Sequence, residues 1–288
     1  MRRAIIDIGT NTVKVLVADI SGGQVVPILA KDRTTRLGEK VDDNKKLLPA
    51  AIERTVQAIQ DFLAEGRALG VVDFRALTTS AARDAVNREE FFDRVRGVCG
   101  LEVELISGER EAELIFRGVS SDPEWSGKRI LVVDVGGGSA EFIQGRGGVV
   151  ERLRSLPLGA LRLTEKFGEG RFEELCEYLR TTLGEALAGH EAGRCRLIAT
   201  GGTVVTLARV ECGVADHGTI SREKLEALLR RLGAMPLAER KKVPGLPAER
   251  ADIIVCGGAV ILTAMDVLDA SELTVSVRNL RYGALVSE

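Results

Sequence analysis

The sequence predicts an α/β protein of two similar domains, on two observations. The first is a pattern that occurs twice, as Ala4-Ile5-Ile6-Asp7-Ile8-Gly9-Thr10-Asn11 and as Leu131-Val132-Val133-Asp134-Val135-Gly136-Gly137-Gly138-Ser139. Each copy is an apolar, β-branched run that ends in Asp-x-Gly. The copies lie 134 − 7 = 127 residues apart, about the length of one domain. The second observation is composition. Hydrophobic residues make up 45% of the 288 and aromatics only 4%, so Val, Leu, Ile and Ala carry the core, as expected where helices cover both faces of a sheet.

The elements follow in order. After each Asp-x-Gly a second strand pattern resumes, over 13–20 and 140–143, so each copy reads as a hairpin with a glycine-rich tip. A third strand is predicted over 24–30, and a long helix over 47–69 from apolar positions at Ile52, Val56, Ile59 and Leu63. A strand over 72–77, a helix over 89–98, a strand over 101–106 and a helix over 109–117 complete the first domain. The polar stretch 120–127, which contains Pro123 and Gly127, is the predicted linker. The second domain continues with a strand over 152–156, a helix over 172–187 and a strand over 196–199. Helices are predicted from Val204, Glu223 and Glu249, and a last strand over 274–277. The domains are thus 1–119 and 127–279, with the tail 280–288 a short helix that packs back on the first and hides Leu285 and Val286.

Several functional classes are excluded. A net charge of −2 gives no general field for nucleic acid or anionic membrane, so an anion site must be local. No apolar run reaches the ~18 residues of a membrane span. Met1-Arg2-Arg3 leads into a strand instead of a signal-peptide core, and a cytoplasmic location without membrane partners is expected. The five cysteines are widely spaced and form no C-x-x-C, which argues for buried reduced thiols against a disulfide framework or a zinc site. The only histidines, His190 and His217, lie near no nucleophile motif, and His217 reads as a loop residue. There is no G-x-x-x-x-G-K-S/T loop and no G-x-G-x-x-G fingerprint. What remains is carboxylates, glycines and arginines, the set that metal-assisted phosphoryl chemistry requires.

Asp134 and Glu141 bracket the second tip, and Gly136, Gly137, Gly138 and Ser139 between them let the backbone approach phosphate oxygens. Two hard oxygen ligands suit magnesium, which keeps several waters. The alternative is an Asx-type turn with a surface glutamate, and three consecutive glycines weigh against it. Asp7, Gly9, Thr10, Asn11 and Lys14 form the matching set, with an ordinary hairpin the stronger competitor there. Two domains facing each other would bring both tips to one cleft, an arrangement suited to a polyphosphorylated ligand and a metal ion. Gly201-Gly202-Thr203 stands between a strand and a helix, where backbone N–H groups and a helix N-terminus meet an anion. On the helix 109–117, Glu111 projects nearer the apolar side than Glu109 or Glu113. Either it has a partner or a task, or it escapes to solvent in the helix's first turn, and the helix alone leaves both open. Arg83 is suited to bidentate phosphate recognition but could equally lie on a solvated face. Gly257 and Gly258, within an apolar helix, are explained as well by close packing as by approach to a nucleotide.

Five motifs together resemble those of the exopolyphosphatase/guanosine pentaphosphate phosphohydrolase family, over the whole length of the chain. They are Asp7-Ile8-Gly9-Thr10-Asn11-Thr12, Thr79-Ser80-Ala81-Ala82-Arg83-Asp84-Ala85, Ile106-Ser107-Gly108-Glu109-Arg110-Glu111-Ala112, Asp134-Val135-Gly136-Gly137-Gly138-Ser139-Ala140-Glu141 and Ala199-Thr200-Gly201-Gly202-Thr203. The resemblance implies two actin-like (ribonuclease H-like) domains with a cleft between them, and the short, two-domain form of the family. It implies Glu111 as catalytic base, Arg83 on the phosphate chain, and Asp134 and Glu141 near magnesium, with manganese as the alternative ion. The expected substrates are inorganic polyphosphate or guanosine pentaphosphate, and a homodimer is one expected assembly. A non-catalytic sensor of the same ligands and a kinase of the same superfamily are the alternatives. The chain departs from the family pattern at Thr10, Thr12 and Lys14, at Ser276-Val277 and at Arg281-Tyr282-Gly283, which bears on substrate detail and not on fold.

Overall fold

The computed structural model describes residues 1–22, 24–190, 195–213 and 218–286, so His217 and the last two residues of the tail lie outside it. The chain divides into two compact units, Met1–Ser121 with Leu280–Glu288, and Asp122–Asn279.

In unit 1, strands β1 (Arg2–Ile8), β2 (Thr12–Ser21), β3 (Gln24–Thr34), β4 (Asp73–Thr78) and β5 (Val103–Leu105) form one sheet in the order β3-β2-β1-β4-β5. The first three strands pair antiparallel, and β1, β4 and β5 pair parallel. Helices α1 (Val41–Asn44), α2 (Pro49–Ala68), α3 (Ser80–Asp84), α4 (Arg88–Cys99) and α5 (Gly108–Ser120) connect them. Pro49 starts α2, and Ile52, Val56, Ile59 and Leu63 bury one stripe of it against Ile6, Val15 and Phe91.

Unit 2 repeats the plan. Strands β6 (Arg129–Val135), β7 (Ala140–Arg146), β8 (Val149–Leu156), β9 (Arg196–Thr200), β10 (Thr219–Ser221) and β11 (Glu272–Val275) take the order β10-β11-β9-β6-β7-β8. Read outward from β6, two antiparallel neighbours lie on one side and two parallel ones on the other, as around β1. Strand β10 is an added antiparallel edge. The helices are α6 (Ala160–Phe167), α7 (Phe172–Ala186), α8 (Gly201–Cys212), α9 (Arg222–Ala234), α10 (Leu237–Arg240) and α11 (Ile254–Val267). The two α/β halves expected from the repeated pattern are therefore present, with one topology.

The differences from expectation have local causes. Helix α11 starts at Ile254 and not at Glu249, because Ala248–Arg250 closes a separate 3-10 turn through the Arg250 N–H to Pro247 carbonyl bond. Helix α8 starts at Gly201, so both glycines belong to its first turn. Helix α6 has no counterpart in the sequence-based expectation. Pro157 and Gly159 read as breakers, yet Ala160, Leu161, Leu163 and Phe167 bury one face of this helix. The boundary between the units falls within the stretch 120–127, where α5 runs through Ser120 and the Asp122 side chain accepts the Glu124 N–H to start a 3-10 turn that buries Trp125. Of the five thiols, all free, only Cys99, Cys176 and Cys256 are buried, and burial pushes each of these above its usual range. Cys195 is partly exposed and Cys212 exposed. A Cβ on Gly257 would stand 2.9 Å from the Ala160 Cβ and one on Gly258 2.3 Å from a Leu229 methyl, so close packing accounts for both glycines.

The chain ends in helix α12 (Leu280–Val286), which packs on α5 within unit 1 and buries Leu280, Ala284 and Leu285. Arg281 Nη1 donates to the Val15 carbonyl at 2.9 Å. Closest approach falls at Gly283, where a Cβ would lie 1.8 Å from the Leu114 carbonyl oxygen. Gly283→Ala should therefore destabilise the protein by about 1–3 kcal/mol in urea unfolding, as overpacking does. Gly97→Ala in α4, where nothing lies within 4 Å, should be neutral or stabilising in the same measurement.

Candidate active site

Both central hairpins end in the same four-residue tip. Ile8 pairs with Val13 and Val135 with Ala140, leaving 9–12 and 136–139 to turn the chain. Each tip is closed by one bond, from the Gly9 N–H to the Thr12 carbonyl at 3.1 Å and from the Gly136 N–H to the Ser139 carbonyl at 3.0 Å. One residue further back, Asp7 stands opposite Lys14 and Asp134 opposite Glu141. Directly opposed residues share a sheet face, so each aspartate has its partner's side chain beside it.

The tip carbonyls are spent on backbone that follows the third strand of each sheet. In unit 1, the Thr35 and Arg36 N–H groups both reach the Asn11 carbonyl at 3.0 Å, and the Gly38 N–H reaches the Thr10 carbonyl at 2.9 Å. In unit 2, the Ala160 N–H donates to the Gly136 carbonyl at 2.9 Å, and the Leu161 and Arg162 N–H groups donate to that of Gly137 at 2.9 and 3.2 Å. Arg162 Nε completes the set on the Gly138 carbonyl at 2.8 Å. A threonine hydroxyl secures the last carbonyl of each first strand, Thr78 on Ile8 at 3.0 Å and Thr203 on Val135 at 2.9 Å. Thr10 Oγ1 and Asn11 Oδ1 are buried with no partner among the described residues.

Unit 2 gathers the carboxylates and the second glycine pair. Gly201 has φ +89°, and a Cβ there would stand 2.0 Å from Asp134 Oδ1, so backbone conformation and space both require glycine. Glu141 is 1% exposed and accepts from Ser155 Oγ, its partner on β8, at 2.8 Å. The buried guanidinium of Arg250 lies on Gly202, where a Cβ would be 2.4 Å from Nη1. It sets a cation at the start of α8, and the sequence gives no sign of it, since Arg250 sits in an unremarked polar run. Asp134 and Glu141 offer two hard oxygen donors on one face, and among the described residues no group of three or more His, Cys, Asp or Glu is arranged for a metal. Such a pair fits magnesium, which takes one or two carboxylates and retains water.

In unit 1, parallel pairing of β4 with β5 brings the segments that follow them together. The Ile106 N–H caps the Thr78 carbonyl at 3.1 Å. Ser107 accepts the Arg110 N–H and starts α5, which places Glu111 in its first turn. Glu111 is buried while Glu109 is exposed. Its Oε2 accepts from Arg83 Nη1 at 3.0 Å, and the same Nη1 donates to the Ile106 carbonyl at 2.9 Å. Arg83 therefore does not lie on a solvated face, and its Nε and Nη2 keep their donors. The sequence-based candidates thus form separate groups: Arg83 with Glu111, Asp7 with Lys14 behind the first tip, and Asp134 with Glu141, Gly201 and Thr203 behind the second.

Two halves of one topology, each with an Asp-x-Gly hairpin tip whose carbonyls are turned into the fold, define a two-domain α/β protein. Residues 16–288 match the model of the Ppx/GppA phosphatase family, and the chain belongs to that family. It is 33% identical, over an alignment of 301 residues, to Exopolyphosphatase 1 of Mycobacterium tuberculosis, with 99% of this chain and 88% of that protein covered. To the guanosine-5'-triphosphate,3'-diphosphate pyrophosphatase of Vibrio atlanticus it is 28% identical over 97% of its length, spanning 58% of that longer protein. Among solved structures, an exopolyphosphatase from Cytophaga hutchinsonii matches with a TM-score of 0.92 at 27% identity, covering 100% of this chain and 97% of that one. No helix of the described residues is long and apolar enough to cross a membrane.

The Arg83–Glu111 pair makes a stability prediction independent of any activity. Arg83→Met removes a charged donor from a buried carboxylate, and denaturant unfolding should show a loss of about 1–3 kcal/mol. An unchanged midpoint would mean that the Arg83 bond adds nothing to stability.

Proposed function

We propose that the chain is a magnesium-dependent phosphohydrolase that releases terminal phosphate from inorganic polyphosphate, with the terminal phosphate of guanosine pentaphosphate's 5′ chain as the second substrate. The observation that carries this is the pairing of Asp134 with Glu141 directly behind a tip of three glycines, in a chain akin to proteins named for both activities. The two tips, with Gly9, Thr10 and Asn11 in one and Gly136, Gly137, Gly138 and Ser139 in the other, bind phosphate oxygens through backbone N–H groups. Lys14 and Arg250 supply cationic charge, and Gly201 and Gly202 let the α8 N-terminus contribute its own. Asp134 and Glu141 would hold magnesium, or manganese in its place, and the bound ion would supply charge neutralisation on the phosphate chain. Glu111 accepts a proton from the attacking water and orients it; phosphoryl transfer asks more for position than for basicity. Arg83 does two things: Nη1 fixes the Glu111 carboxylate, and the remaining N–H groups of the fork take a phosphate oxygen.

The first test is phosphate release from polyphosphate, guanosine pentaphosphate and ATP. Glu111→Gln should lower kcat by more than about tenfold with substrate binding retained, and a smaller effect, under roughly 1.4 kcal/mol of barrier, rejects Glu111 as base. A protein that binds guanosine pentaphosphate tightly yet releases phosphate from none of the three would be a sensor.

The metal assignment is tested separately. Asp134→Asn preserves size and removes one charge, so magnesium affinity measured by titration calorimetry should fall and activity should recover in part at high magnesium. An unaltered magnesium dependence would place the ion elsewhere.

A further inference from the structure

The two hairpin tips are held by the same device, and we infer that this device aims their amides: Gly38 and Gly159, at its points of closest approach, and Arg162 are positioning residues for phosphate binding. The inference rests on the proposed phosphate-binding role of the tips. A trans peptide carries its C=O and the following N–H on opposite sides of one plane. Fixing the carbonyls of Gly136, Gly137 and Gly138 toward the start of α6 therefore turns the N–H groups of Gly137, Gly138 and Ser139 away from it. None of those three N–H groups donates to another described residue. Without the strap, each peptide could rotate and present a carbonyl oxygen, which repels an anion. Glycine linkages rotate most easily, so a tip of three glycines has the most to gain from being held.

The glycines at the points of contact are explained by space alone. Gly159 has φ −73° and ψ 152°, ordinary values for any residue. A Cβ there would stand 2.2 Å from the Gly138 nitrogen and 2.3 Å from the Gly137 carbonyl carbon and oxygen, within the peptide whose direction is at issue. In unit 1, the Gly38 N–H holds the Thr10 carbonyl, and a Cβ on Gly38 would lie 2.3 Å from Thr10 Cγ2. Both glycines fall in the segment just after the third strand, β3 in one sheet and β8 in the other. Recurrence at one topological point, on the corresponding carbonyls of Thr10 and Asn11 in one tip and Gly137 and Gly138 in the other, argues against a packing accident.

The experiment uses the full chain in magnesium-free buffer with chelator, and tripolyphosphate as probe. In wild-type protein, tripolyphosphate should shift the backbone amide resonances of Gly137, Gly138 and Ser139. Gly159→Ala, studied at a temperature where it is fully folded, should bind at least about tenfold more weakly. Gly184→Ala in α7, where nothing lies within 4 Å, should bind as wild type. Arg162→Lys keeps the charge but loses the Nε donor to the Gly138 carbonyl without adding an atom to the contact, and should also weaken binding. Wild-type amides at 137–139 that ignore tripolyphosphate overturn the inference, as does a folded Gly159→Ala with wild-type affinity. Should Gly159→Ala not fold, wild-type affinity in Arg162→Lys overturns it instead. Phosphate release, measured alongside, bears only on the phosphohydrolase: protein that binds through these amides but never hydrolyses would remove that function and leave the strap in place.

Discussion

A hairpin tip of four residues must find partners for its own peptide carbonyls, and much of each half of this chain is arranged around that demand. Buried carbonyls left unpaired are costly, and water is the only alternative to protein donors. Here the donors are backbone N–H groups from the segment after the third strand, supplemented by one guanidinium in unit 2. Because the carbonyls are satisfied from one side, the amides are left for the other. The same accounting explains the threonines at 78 and 203, which close the one strand-end carbonyl that the strap does not reach.

Three of the buried charged groups have a structural contact of their own. Glu111 has Arg83, Glu141 has Ser155, and Arg250 rests on the N-terminal turn of α8. Such contacts hold side chains in place without consuming all of their capacity. Arg83 shows this most plainly, since one nitrogen makes both of its bonds. A site prepared in this way loses little freedom when a ligand arrives.

The repeated Asp-x-Gly pattern and the alternation of strand and helix were legible because they are local and periodic: β1, β2, β6 and β7, the long α2, and the buried side of α5 with Glu111 on it. Helix α6 was not. Its start is marked by Pro157 and Gly159, which signal a break to any local rule, and its reason for existing is the tip carbonyls some twenty residues earlier in the chain. Arg250 escaped for a related cause, because a 3-10 turn carries no periodicity and its target, Gly202, lies far off in sequence. Gly257 and Gly258 could not be assigned from sequence because what excludes a side chain there, Ala160, Thr203 and Leu229, belongs to three other helices. Contacts between distant segments decided these positions, and no window along the chain contains them.

The shared register sets the two halves apart in charge at one position. Position 14 in the first hairpin corresponds to position 141 in the second, and a lysine stands at one where a glutamate stands at the other. The backbone pattern is repeated, but the sign of the charge opposite the aspartate is reversed. The aspartate behind the first tip has a cation opposite it on the next strand, whereas the one behind the second has another carboxylate, and the cations beside that tip are Arg162 and Arg250. Of two copies of one scaffold, the first thus carries a counter-charge on its own hairpin, and the second takes its cations from arginines that follow it in the chain.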